Sequence, residues 1–306
     1  MARIPDPRLD WLSAHFKPKK TTPATIEFLD APGLSLSERR DNSRRVAILR
    51  DSGGLLIVLN GFQDPKPAEE LRRFREELLF ADLEIVTNRI EKLSSQTKKP
   101  KQPREREADQ AELQLLKRVA EALEQNQPAS TLGLKPEEEK ALRSFQLLTL
   151  KPQFVLLNCA DVRASQSPPP DLLAEAPDAR QAPAKLELEL AELSEEDRAA
   201  FMAEYGVTAS FRDDILRDIY RQMGQIVFFT VGTDEVRAWS LQAGDDAVTG
   251  AGKIHTDLQK NFVRAEVVHF DDFQRVGSMK EAKNHGVYRL EGKTYLVQDG
   301  DIMHIL

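Results

Sequence analysis

The residues best placed for chemistry in this 306-residue chain are a carboxylate and a glycine, spaced as Asp30-Ala-Pro-Gly33 at the end of an apolar run. A carboxylate there can serve a cation, and a glycine can offer a bare backbone N–H. The pair reads equally as an ordinary strand-to-turn junction. Phosphate cradling needs Gly-x-x-x-x-Gly-Lys-Ser/Thr between a strand and a helix. The nearest text, Gly250-Ala-Gly252-Lys253-Ile254, has no hydroxyl to hold Mg²⁺ and is read as a chance match. The one cysteine, Cys159, excludes an intrachain disulfide and a multi-cysteine zinc site, and reads as a small apolar residue at a strand end rather than a redox thiol. The five histidines, 15, 255, 269, 285 and 304, lack metal-ligand spacing, and His255 reads as a structural hydrogen-bonding residue. Between Lys92 and Arg106 lie six basic residues and one acid, a cluster suited to phosphate contacts or to a solvated turn.

The elements that must position these residues change in character along the chain. Ala24-Thr-Ile-Glu-Phe-Leu-Asp30 and Gly54-Leu-Leu-Ile-Val-Leu-Asn60 read as strands, the second as one buried on both faces. Pro67 opens a helix whose Leu79, Leu83, Val86, Ile90 and Leu93 form a seam at spacings of four and three. Two prolines and several lysines in Ser94–Pro103 break it. A second seam, Leu113, Leu116, Ala120 and Leu123, then predicts an antiparallel helical hairpin. Gly133 and Pro136 mark a turn before a short helix through Phe145. Pro152-Gln-Phe-Val-Leu-Leu-Asn158 resumes the strand pattern, so the hairpin is an insertion. Asp161–Pro183, with Pro168-Pro-Pro170, is expected to be a loop. Ser194–Asp197 suggests a helix start, and Leu216, Ile219, Tyr220 and Met223 share a helical face. From Gln225 the pattern is β-rich: strands are expected at Ile226–Val231, Val236–Leu241, Val263–His269, Gly286–Leu290 and Tyr295–Gln298.

A formal net charge of −7 excludes a uniformly basic nucleic-acid coat. No apolar run reaches membrane-spanning length, and the first residues lack a signal-peptide core, so a cytoplasmic location and no membrane partner are expected. The segment Gly224–Leu306 has nine basic and twelve acidic residues, which gives no support for a broad RNA footprint there. Lys253, His255 and Arg264 are its best polar contacts. Phe262 and Trp239 read as core.

Several segments, in this order, resemble the YchF / Obg-like ATPase family of P-loop NTPases. They are Pro5-Asp-Pro-Arg-Leu-Asp10, Glu27-Phe-Leu-Asp30-Ala-Pro-Gly33-Leu34, Phe145-Gln-Leu-Leu-Thr-Leu-Lys-Pro152, Glu235-Val-Arg-Ala-Trp239, Ala251-Gly-Lys-Ile-His-Thr-Asp257, Phe262-Val-Arg-Ala-Glu266 and Tyr295-Leu-Val-Gln-Asp-Gly-Asp301. The resemblance implies an α/β Ras-like G domain (1–65 and 148–222), an inserted α-helical coiled-coil hairpin (66–147) and a C-terminal β-grasp-like TGS domain (223–306). It also implies that the family's P-loop lies upstream of Pro5, so the G domain is expected to be N-terminally incomplete, without a central strand between those ending near Asp30 and Asn60.

By the same resemblance, Asp30 holds Mg²⁺ through water and Gly33 gives its N–H to the γ-phosphate. Leu34 stands where Ras-like enzymes carry a water-positioning glutamine, and no catalytic residue is placed. Ser35–Arg45 is shorter and less glycine-rich than the corresponding family segment. Asn158-Cys159-Ala160-Asp161 takes the base-recognition position: Asp161 favours guanine, family membership favours adenine, and Cys159 replaces the usual lysine. Ala184-Lys185-Leu186-Glu187 resembles a second base-contact loop of the family, and reads equally as a plain helix start in a charged stretch. The cofactors implied are Mg²⁺ with ATP or GTP, or none if the site is degenerate. The partner implied is the ribosome or its RNA, without DNA sequence specificity, contacted through Lys98, Lys99, Lys101, Arg104 and Arg106. The alternative is a non-enzymatic ribosome or RNA adaptor with a degenerate G domain. The sequence sets no oligomeric state.

Overall fold

The computed structural model describes residues 1–34, 39–62, 65–96, 102–160, 167–194, 196–197 and 211–306. Among them the chain forms strands β1 (Ala2–Arg3), β2 (Lys20–Thr22), β3 (Thr25–Ile26), β4 (Leu55–Asn60), β5 (Gln153–Asn158), β6 (Arg180–Ala182), β7 (Gln225–Thr230), β8 (Glu235–Gln242), β9 (Ala265–His269), β10 (Arg289–Glu291) and β11 (Asp301–Ile305). The helices that position the site are α1 (Pro7–Phe16), α2 (Arg39–Asp51), α3 (Pro67–Gln96) and α4 (Pro103–Glu124). Two compact units result: residues 29–194, and residues 1–28 with 195–306. No described helix is long and apolar enough to cross a membrane.

In the 29–194 unit, β4, β5 and β6 form a parallel sheet with Leu55 opposite Gln153 and Asn60 opposite Asn158. The strand expected to be buried on both faces is buried on one: Leu55, Ile57 and Leu59 pack with Val155, Leu157, Leu71, Leu78 and Leu172, while Leu56 and Val58 on the other face are exposed. The two seams of the hairpin meet in a second core: Leu79, Val86 and Leu93 of α3 pack with Leu116, Val119 and Leu123 of α4, and Leu83, Ile90, Leu113 and Ala120 flank them. Arg89 closes the outside of this contact on Glu112 at 2.8 Å.

The other unit is built on a six-stranded sheet in the order β10-β9-β11-β7-β8-β2. One face buries Val227, Phe229, Val236, Ala238, Val268 and Ile302 with Leu9 and Leu12 of α1 and with Leu216 and Tyr220 of the helix Phe211–Gln222. The opposite face buries Phe228, Leu241, Val267 and Met303 with Ala247, Ala251 and Phe262.

The expectation of an N-terminally incomplete G domain is corrected here. The first 28 residues are folded, and they are folded with the C-terminal unit. Asp6 caps α1 by accepting from Arg8 N at 2.9 Å, and Pro7 stands at the first turn where its missing N–H costs nothing. Lys20–Thr22 adds in parallel to β8, with Lys20 opposite Glu235 and Thr22 Oγ1 donating to Glu235 Oε1 at 2.5 Å. Ile4, Leu9, Leu12 and Ala24 supply that unit's core. The segment Ala24–Asp30, expected as a strand of the parallel sheet, is a strand only at Thr25–Ile26, where it pairs antiparallel with Ala2–Arg3.

Smaller differences have local causes. The expected loop Asp161–Pro183 contains a helix, Pro170–Glu175, and β6, because Leu172 and Ala182 are apolar enough to be buried; residues 161–166 lie outside those described. The final strand is Asp301–Ile305. Tyr295–Gln298 makes a single bridge, Leu296 to Asp246. Asp301 can enter the sheet because its buried carboxylate accepts from Tyr295 Oη at 2.7 Å and Gln298 N at 2.9 Å.

Candidate functional site

The carboxyl ends of parallel strands are where open α/β sheets bind ligands, because side chains there diverge from the sheet and leave a crevice. Here the ends of β4 and β5 are locked together. Gly61 N donates to Asn158 O at 2.8 Å, and a Cβ on Gly61 would stand 2.4 Å from that oxygen, so only glycine fits this approach. Beside it, Asn60 Oδ1 accepts from Phe62 N at 2.9 Å, and Asn60 N donates to Glu70 Oε2 at 3.3 Å. Sequence reasoning passed over Asn60-Gly61. The available signal was an Asn-Gly pair closing a buried strand.

The structure brings Asn158 and Ala184 together. Asn158 Oδ1 accepts from Ala184 N at 3.2 Å, at the start of the helix Ala184–Glu192. The amide plane is thereby fixed, with its NH₂ group able to donate to a ligand edge. Cys159 is buried, its N–H bonded to Ala182 O at 3.1 Å. Lys185 is exposed and paired with Glu189 at 3.8 Å. Asp161 lies outside the described residues.

Asp30 is exposed. Gly33 is exposed too, and its carbonyl accepts from Arg45 Nη1 of α2 at 2.9 Å. Leu34 turns inward and packs against the core beneath the parallel sheet. At the far end of α2, Arg50 donates to Asp82 Oδ1 at 2.8 Å, to Gln146 O at 3.0 Å and to Ala81 O at 2.9 Å. Lys151 Nζ donates to the Arg50 and Ser52 carbonyls. Burial, and then the neighbouring Arg50 charge, lower the Lys151 pKa below the ordinary lysine value.

No cluster of three or more metal-ligating side chains occurs among the described residues. A lone Asp30 is compatible with Mg²⁺, which takes one or two carboxylates and otherwise the phosphates of its nucleotide. Among the described residues no atom lies within 4 Å of where a Cβ on Gly33 would stand, which is likewise compatible with close approach of a phosphate.

The remaining motifs resolve structurally. Gly250–Ile254 lies in a helix, Ala247–Ile254, where a Cβ on Gly250 would stand 3.4 Å from Leu241 Cδ1. It is a packing glycine, not a phosphate loop. His255 and His269 accept from Asp257 N and Asp271 N at 3.1 and 3.3 Å, capping helices. Trp239 donates to Thr230 Oγ1 at 3.0 Å, with Arg237 stacked 3.8 Å above its ring. On the hairpin, Lys92, Arg104 and Arg106 are exposed; Lys98, Lys99 and Lys101 lie outside the described residues.

Comparison with known proteins yields matches over nearly the whole chain. Residues 225–306 match the family profile YchF-GTPase_C, described as a protein of unknown function (DUF933). The "Ribosome-binding ATPase YchF" of Haemophilus ducreyi is 32% identical over 318 residues, spanning 98% of this chain and 86% of that protein. The protein of the same name from Bacillus subtilis is 31% identical, spanning 99% and 87%. "Obg-like ATPase 1" of Oryza sativa subsp. japonica is 32% identical, spanning 98% and 80%. The structure of the Schizosaccharomyces pombe YchF GTPase superposes with a TM-score of 0.86 at 27% identity, covering all of this chain and 86% of that one. The superposition supports the α/β Ras-like G domain with a TGS-like C-terminal region. The expectation about the N-terminal region is corrected to this extent: the matches take in 98–100% of the chain, and its N-terminal residues are folded on a core.

Proposed function

The chain belongs to the YchF / Obg-like ATPase family, and from that premise we propose that it is a ribosome-associated ATP- or GTP-binding protein. The observation that carries this is the end-to-end similarity to ribosome-binding ATPases, 32% identity with 86% of the relative's length covered. The base would lie at the carboxyl ends of β4 and β5. There Asn158, held by the Ala184 N–H, would present its amide donors, and Lys185 and Asp161 would make the further base contacts. Asp30 and Gly33 would face the phosphates and a phosphate-bound Mg²⁺, which would supply charge neutralisation. This chain's own contribution is to fix those groups: Arg45 holds the Gly33 turn, and Gly61 holds Asn158.

The domain reading that accompanies this is a G domain over 1–65 and 148–222, a hairpin over 66–147 and a TGS domain over 223–306, although residues 1–28 and 211–222 pack in the unit of the six-stranded sheet. The hairpin reaches ribosomal RNA through Lys98, Lys99, Lys101, Arg104 and Arg106. Phosphate contacts of that kind weaken steeply with salt.

The test is co-sedimentation with purified ribosomes, together with equilibrium binding of fluorescent ATP and GTP in Mg²⁺. Pelleting that falls with salt and is lost on charge reversal at Lys98, Lys99 and Lys101, with nucleotide binding weakened at least ten-fold by Asn158→Ala, is the expected result. Ribosome binding without affinity for either nucleotide would overturn the nucleotide reading and leave an adaptor. No pelleting would overturn the ribosomal one.

A further inference from the structure

The middle and the end of α2 are held by different parts of the molecule. At its middle, Arg45 Nη1 holds the carbonyl of Gly33 at 2.9 Å. At its end, the Arg50 fork grips Asp82 and Ala81 of α3 and the carbonyl of Gln146. Asp82, fully buried, also accepts from Leu148 N at 3.0 Å and from Thr149 N and Oγ1, each at 2.8 Å. One carboxylate thus ties together α2, the hairpin helix and the segment that leads into β5. The apolar hold of α2 is slight: Val46 and Leu49, both partly buried, rest against the core below the sheet. Arg45 and Arg50 stand five residues apart on one helix, about 7.5 Å along its axis, so the two polar grips are rigidly joined. A guanidinium suits such a grip because its five donors are fixed in one plane, so rotating the helix breaks several bonds at once.

We propose that Arg50 is a positioning residue that transmits displacement of the Asp30–Gly33 turn through α2 to Asp82, and so to the hairpin. The inference rests on the reading that this turn faces the nucleotide. It supplies what that reading lacks, a physical link from the turn to the arm.

The test is hydrogen exchange with mass-spectrometric readout on the full chain, using two independent perturbations of the turn: saturating Mg²⁺-ATP or Mg²⁺-GTP, and Arg45→Ala. In the unsubstituted chain either perturbation should change exchange at residues 29–34 and, together with it, at residues 146–150 and 78–93. In Arg50→Lys, which keeps a charge opposite Asp82, the response at the turn should persist while the distal response falls at least five-fold. That is the lower range of measured coupling factors. Thr149→Val, which loses only a hydroxyl donor to Asp82, should reduce the distal response by less and covers the case of an unstable Arg50 variant. A distal response unchanged in the variants, or absent in the unsubstituted chain under both perturbations, would overturn the link. Nucleotide without effect at residues 29–34 would overturn the nucleotide reading alone, since the Arg45→Ala arm then decides the link.

Discussion

Asp82→Ala should destabilise the 29–194 unit severely, and by an amount that the geometry sets. Asp82 has no exposed surface, and its salt-bridge partner Arg50 has only 11% of its side chain exposed. Truncation leaves the guanidinium, two backbone N–H groups and a hydroxyl without their acceptor where water is scarce. Removing one partner of a buried pair costs about 3–5 kcal/mol. With a urea dependence of about 2 kcal/mol per molar, the midpoint should fall by about 1.5–2.5 M. Far-ultraviolet circular dichroism is the suitable probe, because α3 and α4 dominate the helix content of this unit. Both tryptophans, Trp11 and Trp239, lie in the other unit, so their fluorescence should move far less. Glu84→Ala, exposed on the same helix, should stay within about 0.5 kcal/mol of the parent. A dichroism midpoint lowered by less than about 0.5 M would refute the reasoning about Asp82. Equal shifts by both probes would refute the separate unfolding of the two units.

Three further outcomes follow from the same structure. Leu12→Ala, at a fully buried position on α1, should cost about 2–5 kcal/mol and should move the fluorescence transition rather than the helical one, the reverse of Asp82→Ala. Gly61→Ala should force β4 and β5 apart at their carboxyl ends, with a stability loss of about 1–3 kcal/mol and an altered Asn158 side-chain amide resonance; an unchanged spectrum would count against the close approach. Burial, with the bond to Asp301, pushes the Tyr295 phenol up to about 12, so the folded chain keeps a proton there that the unfolded chain releases near pH 10. Its contribution is therefore intact below pH 10 and lost as pH rises through about 12; Tyr295→Phe should flatten the decline of stability across that window, measured by urea unfolding at several pH values.

The parts of the fold visible in the sequence are those with strong periodicity. The apolar run Leu55–Leu59 announces a strand, though not that only one of its faces is buried, and the two hairpin seams announce themselves at spacings of three and four. Short strands were not visible. Lys20–Thr22 and Arg180–Ala182 hold three residues each, too few for a pattern, and exist because a neighbouring strand offers them a ladder. Of the candidate site, Asp30, Gly33, Asn158, Ala184 and Lys185 were named from the resemblance. Gly61 and Arg45 were not, since their importance lies in what they approach across the fold.

By itself, then, the sequence determined the family and the order of its segments. It also determined the elements whose apolar residues recur with a regular period, since periodicity is a local property that needs no partner. The tertiary structure decided which unit the first 28 residues join, because apolar side chains such as Ile4, Leu9 and Leu12 name no partner by themselves; they pack into the core of the six-stranded sheet, and Lys20–Thr22 pairs with Glu235–Arg237. It also decided that Asp82, one acid among fifty on the chain, is buried with four donors around it. A buried charge is tolerated only where the fold assembles its partners, and these come from residues 32, 66 and 67 positions away.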